Sequence, residues 1–462
     1  MSELNKRFEN FQEKRMHIFS EIVDRYWNGK LHEEKDLENL AYEIKEKYEF
    51  EEKDMNFIKN HIRVAMGLDP SDNKKFECEI KNIKEYKKVN KPIVTKIDGA
   101  CEYCEKECSC EDSCKYEAHI YKRTKGPIIE NNKCLNCGEC VKDCDFGALA
   151  DKIEFVPLID MLKDKNTKVY AAVAPSITGQ FGDATMGQIR TGLKLMGFED
   201  MVEVALFADI LTIKEAFEFI ELVKDEEDFY LTSCCCPVWF KLVQKKYPEL
   251  FEHMPPSISP MIASGRFLKK LYEGSKVVFI SPCIAKKAEA KEKELEGDID
   301  FVLTFRELKT VFDTLNINLS QLANDEKDQA SFAGRVYART GGVSFSVKSV
   351  VNRLNPKRLI KLKSKKVHGT KACNKLLSEL SSNQKIDYNF VEGMGCNGGC
   401  VGGPRTNIDV AKATALVNEF GEDSLIMTPF DNENVFKILS QFNVDDINKM
   451  MENEEIVNML KR

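Results

Sequence analysis

The chain has 462 residues, of which 43% are hydrophobic and 31% charged, a balance that excludes wholesale disorder and supplies roughly two to four packed domains. Its 68 basic and 75 acidic residues leave a net charge of −7, without the basic surplus of a nucleic-acid reader. The longest apolar runs, such as Val277–Ile280, are far too short for a bilayer, and the opening MSELNKRFEN has no export core, so a cytoplasmic chain with no nucleic-acid or membrane partner is expected.

Leu4, Phe8, Phe11, Ile18, Ile22 and Tyr26 keep a helical period, and Leu37, Leu40, Ile44 and Tyr48 resume it after a break at Gly29. These residues predict an N-terminal helical accessory domain over 1–92, which ends in a polar, Lys-rich linker over Asp69–Pro92. Its basic stretch Lys74–Lys91 offers a docking surface for an electron partner. From Lys168 onward, apolar strands alternate with amphipathic helices. Strands are expected at Val169–Ala174, Phe229–Thr232, Lys276–Ile280, Phe301–Leu303, Tyr388–Val391 and Leu425–Met427, and helices at Gly187–Met196 and Cys236–Lys246. That alternation predicts an α/β domain with parallel sheets over 153–462, closed by a helical tail from Asn432.

Seventeen cysteines stand out. Reducing cytosol disfavours disulfides, and the cysteines fall at the short fixed spacings of metal ligands. Cys134, Cys137, Cys140 and Cys144 form C-x2-C-x2-C-x3-C. Soft thiolates at that spacing suit a [4Fe–4S] cubane, with the fourth cysteine normally reaching the other cluster of a pair. Cys101, Cys104, Cys108, Cys110 and Cys114 form a looser run with one cysteine to spare, and Cys108 and Cys110 compete for one ligand position. Residues 93–152 thereby resemble a small α+β bacterial ferredoxin with two [4Fe–4S] clusters.

Downstream, LTSCCCPVW (Leu231–Trp239), SPCIAKKAE (Ser281–Glu289) and EGMGCNGGCVGG (Glu392–Gly403) occur in that order. Each follows an expected strand, where open α/β sheets place their sites. These segments look like the three signature motifs of the [FeFe] hydrogenases, in a divergent TSCCCP-type branch. The resemblance implies an H-cluster: a [4Fe–4S] cubane joined through one cysteine to a two-iron subsite with CO, cyanide and a bridging azadithiolate. It casts Cys236, Cys283, Cys396 and Cys400 as cubane ligands, Cys400 as the bridge, Cys235 as the proton-relaying thiol and Lys286 as the cyanide partner. Ser176 and Met394 would line the two-iron site, and Glu215 and Glu218 in TIKEAFE would form the proton path on one helical face.

The implied activity is reversible H2 oxidation and proton reduction, with electrons passed to a soluble ferredoxin or flavodoxin and the cofactor installed by hydrogenase maturation proteins. Cys234 is an extra thiol relative to the usual motif. The family's path serine falls near Pro255–Ser257, and Leu222 stands where its terminal arginine would be. Two other classes fit the same motifs: an H2-sensing regulator, and an iron–sulfur scaffold or assembly protein without the two-iron subsite. The sensor usually carries a further C-terminal domain, and the scaffold tends to lose the cysteine and lysine that stand here at 235 and 286.

Overall fold

The computed structural model describes residues 6–86, 89–104, 109–114, 116–122, 126–232, 235–382 and 385–462. Leu4, Cys108 and Cys234 lie outside them. The chain divides into two compact units. One comprises Met1–Thr167, Cys283–Lys291 and Asp300–Asn318, and the other comprises Lys168–Pro282, Glu292–Ile299 and Leu319–Arg462.

In the first unit, helices Phe11–Trp27, Glu34–Lys47 and Met55–Ala65 bury the apolar stripe that their periodicity announces. Phe8, Phe11 and Phe57 form its centre, with the ring of Phe57 5.2 Å from Phe8 and 4.8 Å from Phe11. The stretch expected to be a linker is instead folded onto this core. It contains the helix Glu79–Tyr86 and buries Phe76, Ile80, Ile83 and Val89. Buried Arg63 holds it by donating to Glu79 at 2.8 Å and to the carbonyls of Asn73 and Lys75 at 3.1 and 2.9 Å. The polar composition of this stretch supplies ties to the core rather than freedom.

Four short strands frame the cysteine runs. β1 (Val94–Lys96) pairs antiparallel with β4 (Leu149–Asp151), and β2 (His119–Lys122) pairs antiparallel with β3 (Gly126–Ile129). The first run lies between β1 and β2 and the second between β3 and β4. The N-terminal helices meet this module directly. The amide of Phe11 donates to the Asp145 carbonyl at 2.8 Å, and Gln12 donates to the carbonyls of Val141 and Cys144 at 3.0 and 3.2 Å.

The second unit is α/β with parallel sheets. β5 (Val169–Val173) is fully buried and lies between β6 (Asp200–Glu203) and β8 (Lys276–Ser281), parallel to both. Near-continuous apolar runs such as VYAAV suit strands covered on both faces. A second parallel sheet sets β11 (Phe390–Met394) between β7 (Tyr230–Leu231) and β10 (Ser364–His368). The remaining strand, β9 (Phe301–Thr304), belongs to the first unit. The helix Ala205–Leu222 is buried along Ala205–Ala216 and packs against Gly342–Leu354 and Pro260–Leu271.

Leu425–Met427 is not a strand. Leu425 is 93% exposed, and the carbonyls of Ile426 and Met427 accept from the amides of Phe332 and Ala333 at 2.7 and 3.2 Å. The segment satisfies the free amides of the Phe332–Arg335 helix start, a use of backbone that apolar composition alone does not distinguish from a ladder. Among the described residues, no helix is long and apolar enough to cross a membrane.

Candidate metal centre

None of the fifteen cysteines among the described residues is paired in a disulfide. In the first unit, the ferredoxin-like run is tightly grouped. Burial pushes the Cys137 thiol up to about 12, with the neighbouring Cys134 and Cys114 adding to the shift. Burial also raises the Cys140 thiol well above its ordinary value, with contributions from Cys137, Cys134, Cys114 and Cys110. Cys114 therefore stands beside the second run, as the fourth cysteine of a paired-cluster module should. Thiols crowded in this way resist ionising unless a cation compensates them, and a coordinated metal deprotonates a thiol outright. The amide of Asn136 donates to the Cys134 sulfur at 3.4 Å, a contact that suits a cluster-bound thiolate.

The Cys283 segment belongs to this same unit. Gly138, in the loop between Cys137 and Cys140, has φ +84° and lies so close to Ile284 that an added Cβ would meet its Cδ1 at 2.5 Å. The second cysteine run thus packs on the residue that follows Cys283. Lys286 is 6% exposed and pairs with Glu289 at 2.7 Å. Its neighbour Lys287 is fully buried, donating to Asp151 at 2.9 Å, Glu307 at 2.5 Å and the Lys152 carbonyl at 2.7 Å. The two lysines of one KK pair have distinct partners, and neither is a solvated surface charge.

In the second unit, Cys235 and Cys236 follow β7 and precede the helix Pro237–Lys246, where Pro237 takes the first helical position that lacks a donor requirement. Trp239 locks this turn: its indole N–H donates to the Thr232 carbonyl at 2.9 Å, and its ring lies flat against Gly393 of β11. A Cβ at Gly393 would sit 2.1 Å from Trp239 Cδ2. Gly393→Ala is therefore expected to destabilise the protein by about 1–3 kcal/mol through overpacking, measured as a lower denaturation midpoint. The amide of Gly395 donates to the Cys236 sulfur at 3.3 Å, and burial followed by the charge of Cys400 raises the Cys236 thiol. Cys236 and Cys400 are thereby near neighbours.

Cys396 and Cys400 lie on one turn, closed by Gly399 N to Cys396 O at 3.1 Å and Gly403 N to Cys400 O at 3.0 Å. Glu392, wholly buried, anchors the approach to this turn by accepting from the amides of Gly341 and Ser344 at 2.6 and 2.8 Å. Among the described residues, no three His, Cys, Asp or Glu side chains converge on a single metal ion. A cubane makes no such demand, because its cysteines each grip a different iron at a separate corner.

Ser176 is fully buried, and its hydroxyl finds no partner among the described residues. Leaving such a group unmatched costs roughly 1–3 kcal/mol, a penalty that a bound polar ligand would offset. Gln180, four residues on, likewise has a buried Nε2 without a partner, while its Oε1 accepts from the Asn407 amide at 2.7 Å. Met394 is 1% exposed, and its carbonyl accepts from the Cys373 thiol at 3.3 Å. The unmatched Ser176 hydroxyl and the neighbouring Cys236 and Cys400 thiols are each the kind of group that a polar, sulfur-ligated inorganic ligand would engage. Sequence reasoning did not single out Cys373, a buried thiol raised by burial and then by Cys236, or Arg405, which is 3% exposed. A lone cysteine and an arginine after a glycine run carry no spacing signal.

Glu215 is fully buried and Glu218 partly so, one helical turn apart on Ala205–Leu222. The Tyr230 hydroxyl lies 3.3 Å from Glu215 Oε1 and 3.3 Å from Glu218 Oε2. Ser257, also buried, donates to Glu218 at 3.3 Å, and Lys214 donates to both Glu218 and Ser257. The expected pair of carboxylates is therefore embedded in a five-residue hydrogen-bonded network. Leu222 is 46% exposed and takes no part in it.

The model for the iron only hydrogenase large subunit, C-terminal domain, matches residues 167–404. Iron hydrogenase 1 of Clostridium pasteurianum is 27% identical over 398 residues, covering 65% of this chain and 69% of its own length. A probable cytosolic Fe-S cluster assembly factor of Drosophila mojavensis is 23% identical over 303 residues, 54% of this chain and 63% of its own. The solved [FeFe]-hydrogenase from Chlamydomonas reinhardtii shares the fold at a TM-score of 0.55 and 19% identity, covering 66% of this chain and 96% of that one. With a matching model over more than half its length, laid across the very segments that carry the three cysteine motifs, this chain belongs to the iron-only hydrogenase family.

Proposed function

We propose that this protein is a cytoplasmic [FeFe] hydrogenase that interconverts H2 with two protons and two electrons. Cys236, Cys283, Cys396 and Cys400 would hold the cubane of an H-cluster, with Cys400 as the bridge to the two-iron subsite. That group, when bound, supplies the reversible cleavage of H2. The polypeptide contributes the rest. Cys134, Cys137 and Cys140 with Cys114 would hold one further [4Fe–4S] cluster, and Cys101, Cys104 and Cys144 with Cys108 or Cys110 the other. The packing of Gly138 on Ile284 supports an electron path from this module to the Cys283 segment, fed by a soluble ferredoxin or flavodoxin.

Lys286, held by Glu289, would donate to a cyanide ligand, and Ser176 and Met394 would line the two-iron subsite. Cys235, Glu215 and Glu218 would carry protons. The observation that carries this reading is the buried chain of carboxylates and hydroxyls around Glu215 and Glu218. Hydrogen turnover consumes or releases a proton with each electron, so such a chain has a task there. A cluster scaffold has none.

Infrared spectroscopy of protein co-produced with hydrogenase maturation enzymes tests the proposal. Metal-bound CO and cyanide stretches are expected, together with H2 evolution from a reduced viologen. Protein made without those enzymes should carry cubanes only. Complete cubane loading with no CO or cyanide bands after maturation would instead favour an iron–sulfur assembly role, the reading supported by similarity to the Drosophila assembly factor.

A further inference from the structure

We propose that Tyr230 is a proton-conducting member of the route between Glu218 and Glu215, and that Lys214 positions its outer end. The proposal rests on the hydrogenase reading, which assigns protons to the two glutamates and a path serine, and adds Tyr230 to them. The two carboxylates stand on successive turns of one helix. The Tyr230 hydroxyl is within hydrogen-bond range of both, at 3.3 Å from Glu215 Oε1 and 3.3 Å from Glu218 Oε2. Ser257 reaches Glu218 at 3.3 Å and accepts from Lys214 at 2.5 Å, so it joins the network at the Glu218 end.

A hydroxyl is suited to this place because it accepts and donates at one oxygen. When protonated Glu218 passes its proton to the Tyr230 oxygen, the phenolic proton moves to Glu215. One O–H bond breaks and one forms at the tyrosine, which ends as it began, and rotation of the hydroxyl resets it. No oxidant or reductant is needed. Burial keeps bulk water from competing, since Tyr230, Glu215 and Ser257 are each 0% exposed.

The ring of Tyr230 is fixed independently of its hydroxyl. It stacks on Phe390 with centroids 5.3 Å apart and meets Phe219 edge-on at 6.3 Å, so the aim of the oxygen is set by packing. Lys214, 2% exposed, donates to Ser257 at 2.5 Å and to Glu218, and thereby fixes the carboxylate with one oxygen toward Tyr230. Lys214 is a positioning residue. It occupies the place in this network that an exposed Leu222 cannot.

Tyr230→Phe removes one oxygen and keeps the ring. In the matured enzyme it is expected to lower H2 turnover about a hundredfold, the scale of a lost proton-transfer group, and to raise the solvent isotope effect. CO and cyanide infrared bands should be unchanged. A second readout needs no two-iron subsite: in cubane-loaded protein, the infrared carboxyl stretches of Glu215 and Glu218 should shift in Tyr230→Phe as their shared donor disappears. Lys214→Met should shift the Glu218 band and slow turnover, with Lys214→Arg restoring most of both.

Carboxyl bands identical to wild type in Tyr230→Phe would overturn the proposal, as would undiminished turnover. If the parent protein shows no CO or cyanide bands, the hydrogenase reading fails by itself. Shifted carboxyl bands would then still report the Tyr230 bridge.

Discussion

Cys235→Ser is expected to retain the full iron content and the CO and cyanide infrared bands of the matured protein, yet lose about a hundred- to ten-thousandfold in H2 turnover. Cys235 and Cys236 are not equivalent. Cys236 accepts a hydrogen bond from the Gly395 amide and lies beside Cys400, which places it among the sulfur ligands, whereas Cys235 precedes it on the same turn after β7. Serine matches cysteine in shape and in having one transferable proton. Its hydroxyl, however, is a far weaker acid than a thiol, whose ordinary value lies near 8.5. A relay must give up and regain a proton close to working pH, so the substitution removes the acidity and leaves the geometry. Turnover equal to that of the unsubstituted protein would remove Cys235 from the proton route. Loss of the CO and cyanide bands would instead make Cys235 a determinant of cofactor binding.

Much of the architecture is readable from residue order. Val169–Ala174 and Lys276–Ile280 read as strands, and they form the parallel sheet around β5. The three cysteine motifs each declare a strand followed by a turn, and β7, β8 and β11 precede them. What composition hides is which polar residues are internal. Lys214 and Lys287 read as ordinary helical lysines, yet both are buried: Lys214 pairs with Glu218 one turn along its own helix, and Lys287 with Asp151 and Glu307 from other elements. Tyr230 reads as one more apolar strand residue, since its ring is core and only its oxygen is chemistry. Leu425 and Met427 mislead in the opposite direction: they are apolar yet exposed, and their segment serves through its backbone carbonyls. Local patterns report faces, whereas Lys287, Tyr230 and the Leu425–Met427 segment are decided by partners distant in sequence.

The largest structural effect is expected at Lys287. This ammonium is fully enclosed between Asp151 at 2.9 Å and Glu307 at 2.5 Å, and Asp151 is held from its other side by Arg15 of the first helix at 3.0 Å. One network therefore ties the N-terminal helix, β4, the Cys283 segment and the helix Phe305–Thr314 within the first unit. Burial pulls the Lys287 amine down, but the two carboxylates outweigh it and raise it above its ordinary value. Burial raises the Glu307 carboxyl, against the pull of Lys287. Lys287→Met fills the same space but leaves two carboxylates facing one another without their shared cation, a loss of about 3–5 kcal/mol.

The pH dependence gives the sign. In the variant, Glu307 has lost the cation that opposed its upward shift, so its folded-state value lies still further above the unfolded one. The folded protein then binds more protons than the unfolded chain, and the stability deficit should shrink as pH falls toward and through the unfolded carboxylate value. In the parent, the raised Lys287 contributes stability that is present at neutral pH and lost only as pH rises through its folded-state value. Denaturation midpoints of cubane-loaded parent and Lys287→Met, measured from neutral to mildly acidic pH, should converge on the acid side. Curves that stay parallel across that range would mean the carboxylates find other partners and the network is not what joins these four elements.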